Sequence, residues 1–195
     1  MAGLGGCDVI RPQAFASHYR GAAASYTIDS SGLVTVTAYT AWRTGSGVSE
    51  AVSFRVYTGS GATGTLMGTM TQNTGATVNP FTSGTEFGGS PYFVKKEVFT
   101  FSLNGQANGI YYAWWNSNAW VAGIQNAVDQ NSWSVQLKIA YTAGVASAGP
   151  TMLPATIDFI DRGYPYTQTL NSVDPDGTPV EYSTLLGRGS PHFDP

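Results

Sequence analysis

The sequence predicts an all-β protein built as an antiparallel β-sandwich, and three observations support this prediction. Apolar and polar residues alternate with a period of two in several segments, as they do in strands that bury one face. Glycine-rich turn sequences separate these segments. Apolar residues make up 42% of the 195 residues and charged residues only 11%, against about 25% in a typical globular domain. The chain therefore has enough apolar side chains for a core and few charges on its surface.

Four segments show the alternation clearly. Polar residues, mostly Thr, Ser, Gln and Lys, separate the apolar ones, so each segment is predicted to be a half-buried antiparallel strand. Reversals are expected at residues 29–32, 44–47, 58–61 and 104–105. Short strands joined by such turns are typical of jelly-roll and immunoglobulin-like sandwiches. The predicted inward residues are Val34, Val36, Ala38 and Trp42; Val52, Phe54 and Val56; Phe99, Phe101 and Leu103; and Trp133, Val135, Leu137, Ile139 and Tyr141.

The segment between the last two strands departs from this pattern. Asn118 can cap a helix that places Trp120, Ile124, Ala127 and Val128 on one face. The same spacing is compatible with an irregular strand. One short helix near residues 118–128 is therefore an open alternative within an otherwise all-β chain.

The acidic residues are concentrated near the C-terminal end. Residues 158–195 contain six of the twelve acidic residues and only two basic ones. The composition changes after a Gly-, Ala-, Ser- and Pro-rich run at residues 143–154. We therefore predict a β-sandwich domain over residues 1–150 and a partial β segment over residues 151–195.

Charge and hydropathy also exclude two classes of partner. The net charge is −3, and Lys95 and Lys96 form the only basic cluster. Nucleic-acid binding needs a larger basic surface and is not expected. No run of 18 apolar residues occurs, so no transmembrane segment is predicted.

The C-terminal segment contains the most recognisable motifs. Gly-Tyr-Pro-Tyr at 163–166 is followed by Asp-Pro-Asp-Gly at 174–177 and Val-Glu-Tyr-Ser at 180–183. Their order resembles the first half of a cadherin-like or immunoglobulin-like repeat of extracellular proteins. The resemblance implies that Asp174 and Asp176 ligate Ca²⁺, with Asp158 and Asp161 added if the fold brings them close. The alternative is that residues 174–177 form an ordinary turn, which Pro, Asp and Gly favour at those positions.

A repeat that ends at Pro195 is about half complete, and half a sandwich leaves strand edges open. Three arrangements are compatible with this. The segment belongs to an array of repeats, folds back on the first domain, or donates strands to a neighbouring subunit. The last arrangement predicts self-association through β-strand addition, giving a filament or a surface layer.

Cys7 is the only cysteine, so no internal disulfide forms. It follows Leu4, Gly5 and Gly6, and this short motif resembles the lipobox of bacterial lipoproteins. That resemblance implies lipidation of Cys7 and a lipid anchor. Residues 1–3 lack the basic and apolar regions of a signal sequence, so the alternative is an incidental thiol.

The sequence contains no recognisable catalytic motif. His18 and His192 are the only histidines. The sequence patterns of zinc proteases, nucleophile elbows and phosphate-binding loops are absent. We therefore predict that the protein is not an enzyme.

An aromatic cluster near residues 111–120 suggests carbohydrate binding, because sugar rings stack on exposed aromatic faces and amides bond their hydroxyls. The competing interpretation is structural, with Tyr112 and Trp114 pointing into the core while the neighbouring aromatic residues fill the other face or an interface. The residues predicted to bind a glycan are Tyr111, Trp115, Asn116, Asn118 and Trp120.

These features together favour a non-enzymatic structural or adhesion protein, located outside the cell or on its surface. It either self-assembles or belongs to an array of repeats. A carbohydrate-binding, lectin-like module is the first alternative. A virion or phage structural subunit is the second, and it predicts symmetric assembly.

Overall fold

The structure is a computed structural model that describes residues 19–43, 52–59, 64–73, 84–85, 91–117, 133–152, 172–177 and 179. Twelve β-strands and no helix occur within these residues. The strands are β1 (Tyr19–Ile28), β2 (Leu33–Arg43), β3 (Arg55–Tyr57), β4 (Leu66–Thr69), β5 (Thr71–Gln72), β6 (Gly84–Thr85), β7 (Pro91–Ser102), β8 (Gly109–Ser117), β9 (Trp133–Tyr141), β10 (Ser147–Ala148), β11 (Thr151–Met152) and β12 (Ser172–Val173).

The strands form two main sheets in which all neighbours are antiparallel. The larger sheet has the order β10-β1-β2-β7-β5, and β6 pairs with the other end of β7. The smaller sheet has the order β4-β3-β8-β9, and β11 pairs separately with β12. The predicted all-β antiparallel sandwich is confirmed. Residues 118–128, where a helix was an alternative, lie outside the described residues.

The hairpin between β1 and β2 is closed by the turn that the sequence predicts at residues 29–32. The Asp29 carboxylate accepts hydrogen bonds from the Ser31 and Leu33 amides, at 2.9 and 3.0 Å. Gly32 has a φ of 83°, which glycine adopts without the steric cost of a side chain. This turn aligns the two long strands in register from Gly21 to Ile28.

The predicted turn at residues 104–105 is also confirmed, and it lies against the first turn. Gly105 has a φ of 77°, and the Gln106 amide donates to the Leu103 carbonyl at 2.9 Å. The Leu103 amide in turn donates to the Gly32 carbonyl at 2.9 Å. The two turns therefore close the same end of the larger sheet together.

The core lies between the two sheets, and the residues predicted to point inward are buried in it or pack against it, apart from Trp133, whose side chain lies outside the described part. Phe54 packs edge-on against Phe99, with ring centroids 5.4 Å apart. Trp42 of the larger sheet contacts Trp115 of the smaller one, with centroids 6.3 Å apart. The apolar residues that are at most 1% exposed come from both halves of the sandwich: Val34, Val36, Ala38, Trp42, Phe54, Val56, Phe99, Leu103, Ala113 and Ile139.

Candidate functional site

Two of the aromatic residues predicted to bind sugar lie inside the sandwich. Tyr111 is 6% exposed and Trp115 is 3% exposed. The Tyr111 hydroxyl donates to the Ala107 carbonyl at 2.6 Å, and its ring packs edge-on against Tyr141. The Trp115 ring contacts Phe54 at a centroid distance of 6.0 Å. Both rings therefore stabilise the core and present no open face for a sugar.

The competing structural interpretation had the wrong side of β8 facing inward. Tyr111, Ala113 and Trp115 are buried, whereas Tyr112 and Trp114 are half-buried on the opposite face. Both faces of this strand are aromatic, so alternation alone does not show which one meets the core. The outward position of Tyr112 and Trp114 is the feature that sequence reasoning missed.

The other residues of the predicted glycan site are not assembled with these two. Asn116 is exposed near the end of β8. Asn118 and Trp120 lie outside the described residues, as does Cys7, the predicted site of lipidation. No site built from the five predicted residues is therefore visible in the part of the chain that the structure describes.

The outer face of the smaller sheet instead presents a mixed aromatic and cationic surface. Phe54 and Val56 point into the core, so their neighbours on β3 point outward, as do Tyr112 and Trp114 on β8. Strand pairing aligns the outward residues in two adjacent rows across the sheet. One row contains Thr69, Arg55, Trp114 and Gln136, and the next contains Leu66, Tyr57, Tyr112 and Lys138.

The aromatic rings in these rows support one another. Tyr57 is only 5% exposed although it lies on the outer face. Its ring packs edge-on against Trp114, with centroids 6.0 Å apart and planes at 69°. Trp114 and Tyr112 remain half-buried. Each of these two therefore has part of its ring surface accessible to a ligand.

Positive charge dominates this outer face. Arg55 and Lys138 are both exposed. The outward positions of β3, β4, β8 and β9 that the structure describes include no carboxylate. The chain as a whole has a net charge of −3. The surface therefore has the opposite sign to the rest of the molecule.

The second candidate site is the Asp-Pro-Asp-Gly turn at residues 174–177, which forms as predicted. The Gly177 amide donates to the Asp174 carbonyl at 3.1 Å, and the Asp176 amide donates to the Asp174 carboxylate at 2.9 Å. Gly177 has a φ of 75°. These are the contacts of a tight turn closed by an aspartate side chain.

This turn is hydrogen-bonded to the edge of the larger sheet. Oδ2 of Asp176 accepts a hydrogen bond from the Ala148 amide at 2.9 Å and another from the Ser147 hydroxyl at 3.3 Å. Ser147 and Ala148 form β10, which pairs with the end of β1. We call the group formed by Tyr26, residues 147–149, Asp174 and Asp176 the junction.

Tyr26 lies at the centre of the junction. Its hydroxyl accepts a hydrogen bond from the Ala140 amide at 3.4 Å, and its carbonyl accepts one from the Gly149 amide at 2.9 Å. Burial raises the pKa of the Tyr26 phenol above its ordinary 10.0, and the nearby Asp174 and Asp176 carboxylates raise it further, against an opposing effect of the Ala140 hydrogen bond. The phenol is therefore held in its neutral form.

One oxygen of each predicted calcium ligand accepts a hydrogen bond from the protein. Oδ1 of Asp174 and Oδ2 of Asp176 each accept a backbone amide. Within the described ranges, no group of three or more His, Cys, Asp or Glu side chains is placed to hold a metal ion. Asp158 and Asp161 lie outside those ranges. Calcium binding by Asp174 and Asp176 stays a prediction.

No family model, curated protein or solved structure matches this chain. The resemblances to a cadherin-like repeat and to a lipobox therefore stay predictions. No helix long and apolar enough to cross a membrane occurs among the residues that the structure describes. The function is consequently inferred from the outer face of the smaller sheet and from the junction.

Proposed function

We propose that this protein is a non-enzymatic structural and adhesion module, located outside the cell or on its surface, and part of an array of repeats. The observation that supports this proposal is the attachment of the repeat-like turn to the sandwich through Asp176, Ser147 and Ala148. These hydrogen bonds hold the turn at residues 174–177 in a fixed position against the edge of the sandwich.

A fixed junction is useful to a module that transmits force or spaces a binding surface. Domains joined by a flexible linker reorient independently. Here the hydrogen bonds of Asp176 and the β11–β12 pairing connect residues 147–152 to residues 172–177 of the repeat-like segment. The Asp176 carboxylate is exposed, so we expect its contacts to stabilise the junction by about 1 kcal/mol.

The outer face of the larger sheet also suits a rigid module. A row of four threonines crosses β1, β2, β7 and β5, where Thr27, Thr35, Thr100 and Thr71 are direct neighbours. Cross-strand threonine pairs stabilise a sheet by packing and by hydroxyl hydrogen bonds. Such a surface requires few charged residues, in agreement with the 11% charged composition.

Self-association through strand addition is the other way in which the repeat-like segment was expected to act. Residues 172–177 find their partners within their own chain, at β11 and β10. Strand addition would therefore have to use residues outside this turn. The junction favours an array of repeats over donation of residues 172–177 to a neighbouring subunit.

The location of the protein tests this proposal. In the organism that encodes the chain, an antibody raised against the purified protein should label intact cells or their surrounding matrix. An antibody against a cytoplasmic protein, used as a control, should label permeabilised cells alone. Labelling of the chain that appears only after permeabilisation would contradict the proposal.

The assembly state distinguishes the remaining alternatives. We expect the purified chain to be a single small species by light scattering, because the junction is formed within one chain. Closed shells or rings seen by electron microscopy would favour a virion subunit instead. Long filaments would favour assembly by strand addition.

A further inference from the structure

We propose that the outer face of the smaller sheet binds an acidic polysaccharide. Trp114 and Tyr112 stack on sugar rings at the centre of this surface. Arg55 and Lys138 pair with acidic groups of the polymer on either side. The site differs from the one predicted from the sequence, whose aromatic residues on β8 lie in the core.

The two accessible rings are held in place before a ligand arrives. Trp114 rests edge-on against Tyr57, which is itself 5% exposed. Trp114 and Tyr112 lie two residues apart on the same strand and share one face. Rigid aromatic side chains lose little conformational entropy on binding. They therefore suit a ligand whose flat C–H faces contact the rings.

The two cations lie on opposite sides of these rings. Arg55 is the direct neighbour of Trp114 on one strand, and Lys138 is the direct neighbour of Tyr112 on the other. Strand spacing and residue rise place the Arg55 and Lys138 Cα atoms about 12 Å apart. A ligand that pairs with both must carry acidic groups at intervals along its length, as an acidic polysaccharide does.

The sign of the charge selects an acidic ligand over a neutral one. Arg55 and Lys138 are exposed, and no carboxylate accompanies them at the outward positions of this sheet that the structure describes. Because the chain has a net charge of −3, a face with two cations and no described carboxylate repels a polyanion less than the average surface of the chain does. Charge complementarity of this kind favours the encounter and fixes the orientation of the ligand.

A single-stranded nucleic acid also combines stacking rings with negative charge. Proteins that bind it provide a positively charged groove along the whole strand. Two cations on a chain with a net charge of −3 do not balance one phosphate per nucleotide. A polysaccharide with a carboxylate on alternate sugars has a lower charge density and fits the surface better.

The test measures binding of the full chain to three probes: hyaluronate fragments, which carry a carboxylate on alternate sugars, neutral dextran, and a single-stranded oligonucleotide. Calorimetry or biolayer interferometry at low and at physiological salt gives the dissociation constants. We expect hyaluronate to bind most tightly and to bind more weakly at the higher salt concentration. No binding of hyaluronate, equal binding of dextran, or tighter binding of the oligonucleotide would overturn the proposal.

Variants locate the site. We expect Trp114→Ala to weaken hyaluronate binding about tenfold, and the double variant Arg55→Gln/Lys138→Gln to weaken it by about the same factor and to remove most of its salt dependence. Lys96→Gln is the matched control, because Lys96 is an exposed cation on the larger sheet. Its affinity should change less than about twofold.

Folding of each variant is checked by near-ultraviolet circular dichroism. If Trp114→Ala loses the native spectrum, the location of the site is tested with Arg55→Gln/Lys138→Gln instead. Arg55 and Lys138 are both exposed, so replacing them should leave the fold intact. An unchanged affinity in the folded double variant, or an equal loss in Lys96→Gln, would overturn the assignment. These experiments measure ligand binding alone. A failure to bind would therefore leave the proposed location and the proposed junction untouched.

Discussion

At the scale of single residues, Gly149 is the position where the junction tolerates a side chain least. A Cβ there would overlap the Tyr26 ring, whose Cδ1 would lie 2.7 Å away. We expect Gly149→Ala to lower the free energy of unfolding by about 1–3 kcal/mol, the usual cost of overpacking. Urea unfolding measures this change.

Gly109→Ala is the matched control for that substitution. A Cβ at Gly109 has nothing within 4 Å, so the free energy of unfolding should change by less than about 0.5 kcal/mol. Equal stability of the two variants would contradict the close contact between Gly149 and Tyr26.

The Tyr26 hydroxyl gives the junction a dependence on alkaline pH. Its pKa lies above the ordinary 10.0, mainly because of burial and secondarily because of Asp174 and Asp176. The folded state therefore holds this proton more tightly than the unfolded state. The stabilisation is fully present below pH 10 and is lost as the pH rises from there through the raised pKa.

Urea unfolding midpoints between pH 8 and pH 11 test this dependence. We expect Tyr26→Phe to be less stable than the natural chain near pH 8, because it loses the hydroxyl that accepts the Ala140 hydrogen bond. Its stability should then decrease less between pH 10 and pH 11. If the urea midpoints of the two proteins decreased equally between pH 10 and pH 11, the stability of the protein would not depend on the Tyr26 hydroxyl proton.

At the scale of the elements, the β1–β2 hairpin turn packs at Gly32 against the turn at residues 104–105, which leads from β7 in the larger sheet to β8 in the smaller one. A Cβ at Gly32 would lie 3.1 Å from both the Asn104 amide nitrogen and the Tyr141 hydroxyl. Gly105 has a similar positive φ, but a Cβ there meets nothing within 4 Å. An alanine at Gly105 therefore suffers backbone strain alone, whereas an alanine at Gly32 suffers the same strain and also crowds Asn104 and Tyr141.

We expect Gly105→Ala to destabilise the protein by about 1–2 kcal/mol, the cost of a left-handed conformation for a residue with a side chain. Gly32→Ala should cost about 1 kcal/mol more, because the overlap adds to the same strain. Thermal and urea unfolding of both variants measure the difference. A smaller loss for Gly32→Ala than for Gly105→Ala would contradict the packing of the two turns.

The attachment of the Asp-Pro-Asp-Gly turn is a second prediction at this scale. Asp176→Ala removes the acceptor of two hydrogen bonds, so we expect a loss of about 1 kcal/mol in the free energy of unfolding. Ser147→Ala removes only the longer of the two, at 3.3 Å, and should cost less. If Asp176→Ala unfolds at the same urea concentration as the natural chain, the turn does not stabilise the sandwich.

The strands themselves could be predicted from the sequence because their signal is local. Val52, Phe54 and Val56 are buried while Ser53 and Arg55 are exposed, which is the alternation that the sequence displays. Asp29 and Gly32 likewise form their turn from contacts within a few residues. Local chemistry was sufficient for these elements.

The candidate binding surface could not be predicted in the same way. Tyr111 and Trp115 on one face of β8 are as apolar as Tyr112 and Trp114 on the other, so the strand could have turned either face inward. The packing of Trp115 against Trp42 and Phe54 settles this choice, and both partners are distant in sequence. The register between β3, β8 and β9, which brings the two cations beside the outer rings, is also non-local.

At the scale of the whole molecule, the turn at residues 174–177 of the repeat-like segment is hydrogen-bonded to the edge of the sandwich. The Ala148 amide and the Asp176 carboxylate that accepts its hydrogen bond are 28 residues apart in the chain. The sequence indicated a change of composition between them, and it contained no signal for this contact. The change of composition predicts a boundary after residues 143–154. The hydrogen bond between Ala148 and Asp176 shows how the turn beyond that boundary is attached to the sandwich.

Native-state hydrogen exchange of the full chain tests this attachment most directly. The Ala148, Asp176 and Gly177 amides all have hydrogen-bond acceptors. We expect these three amides to exchange much more slowly than in an unstructured peptide. Exchange of the Ala148 amide, the donor to Asp176, at the unprotected rate, while the amides of β2 and β7 stay protected, would show that the turn is not docked and would contradict the proposed fixed junction.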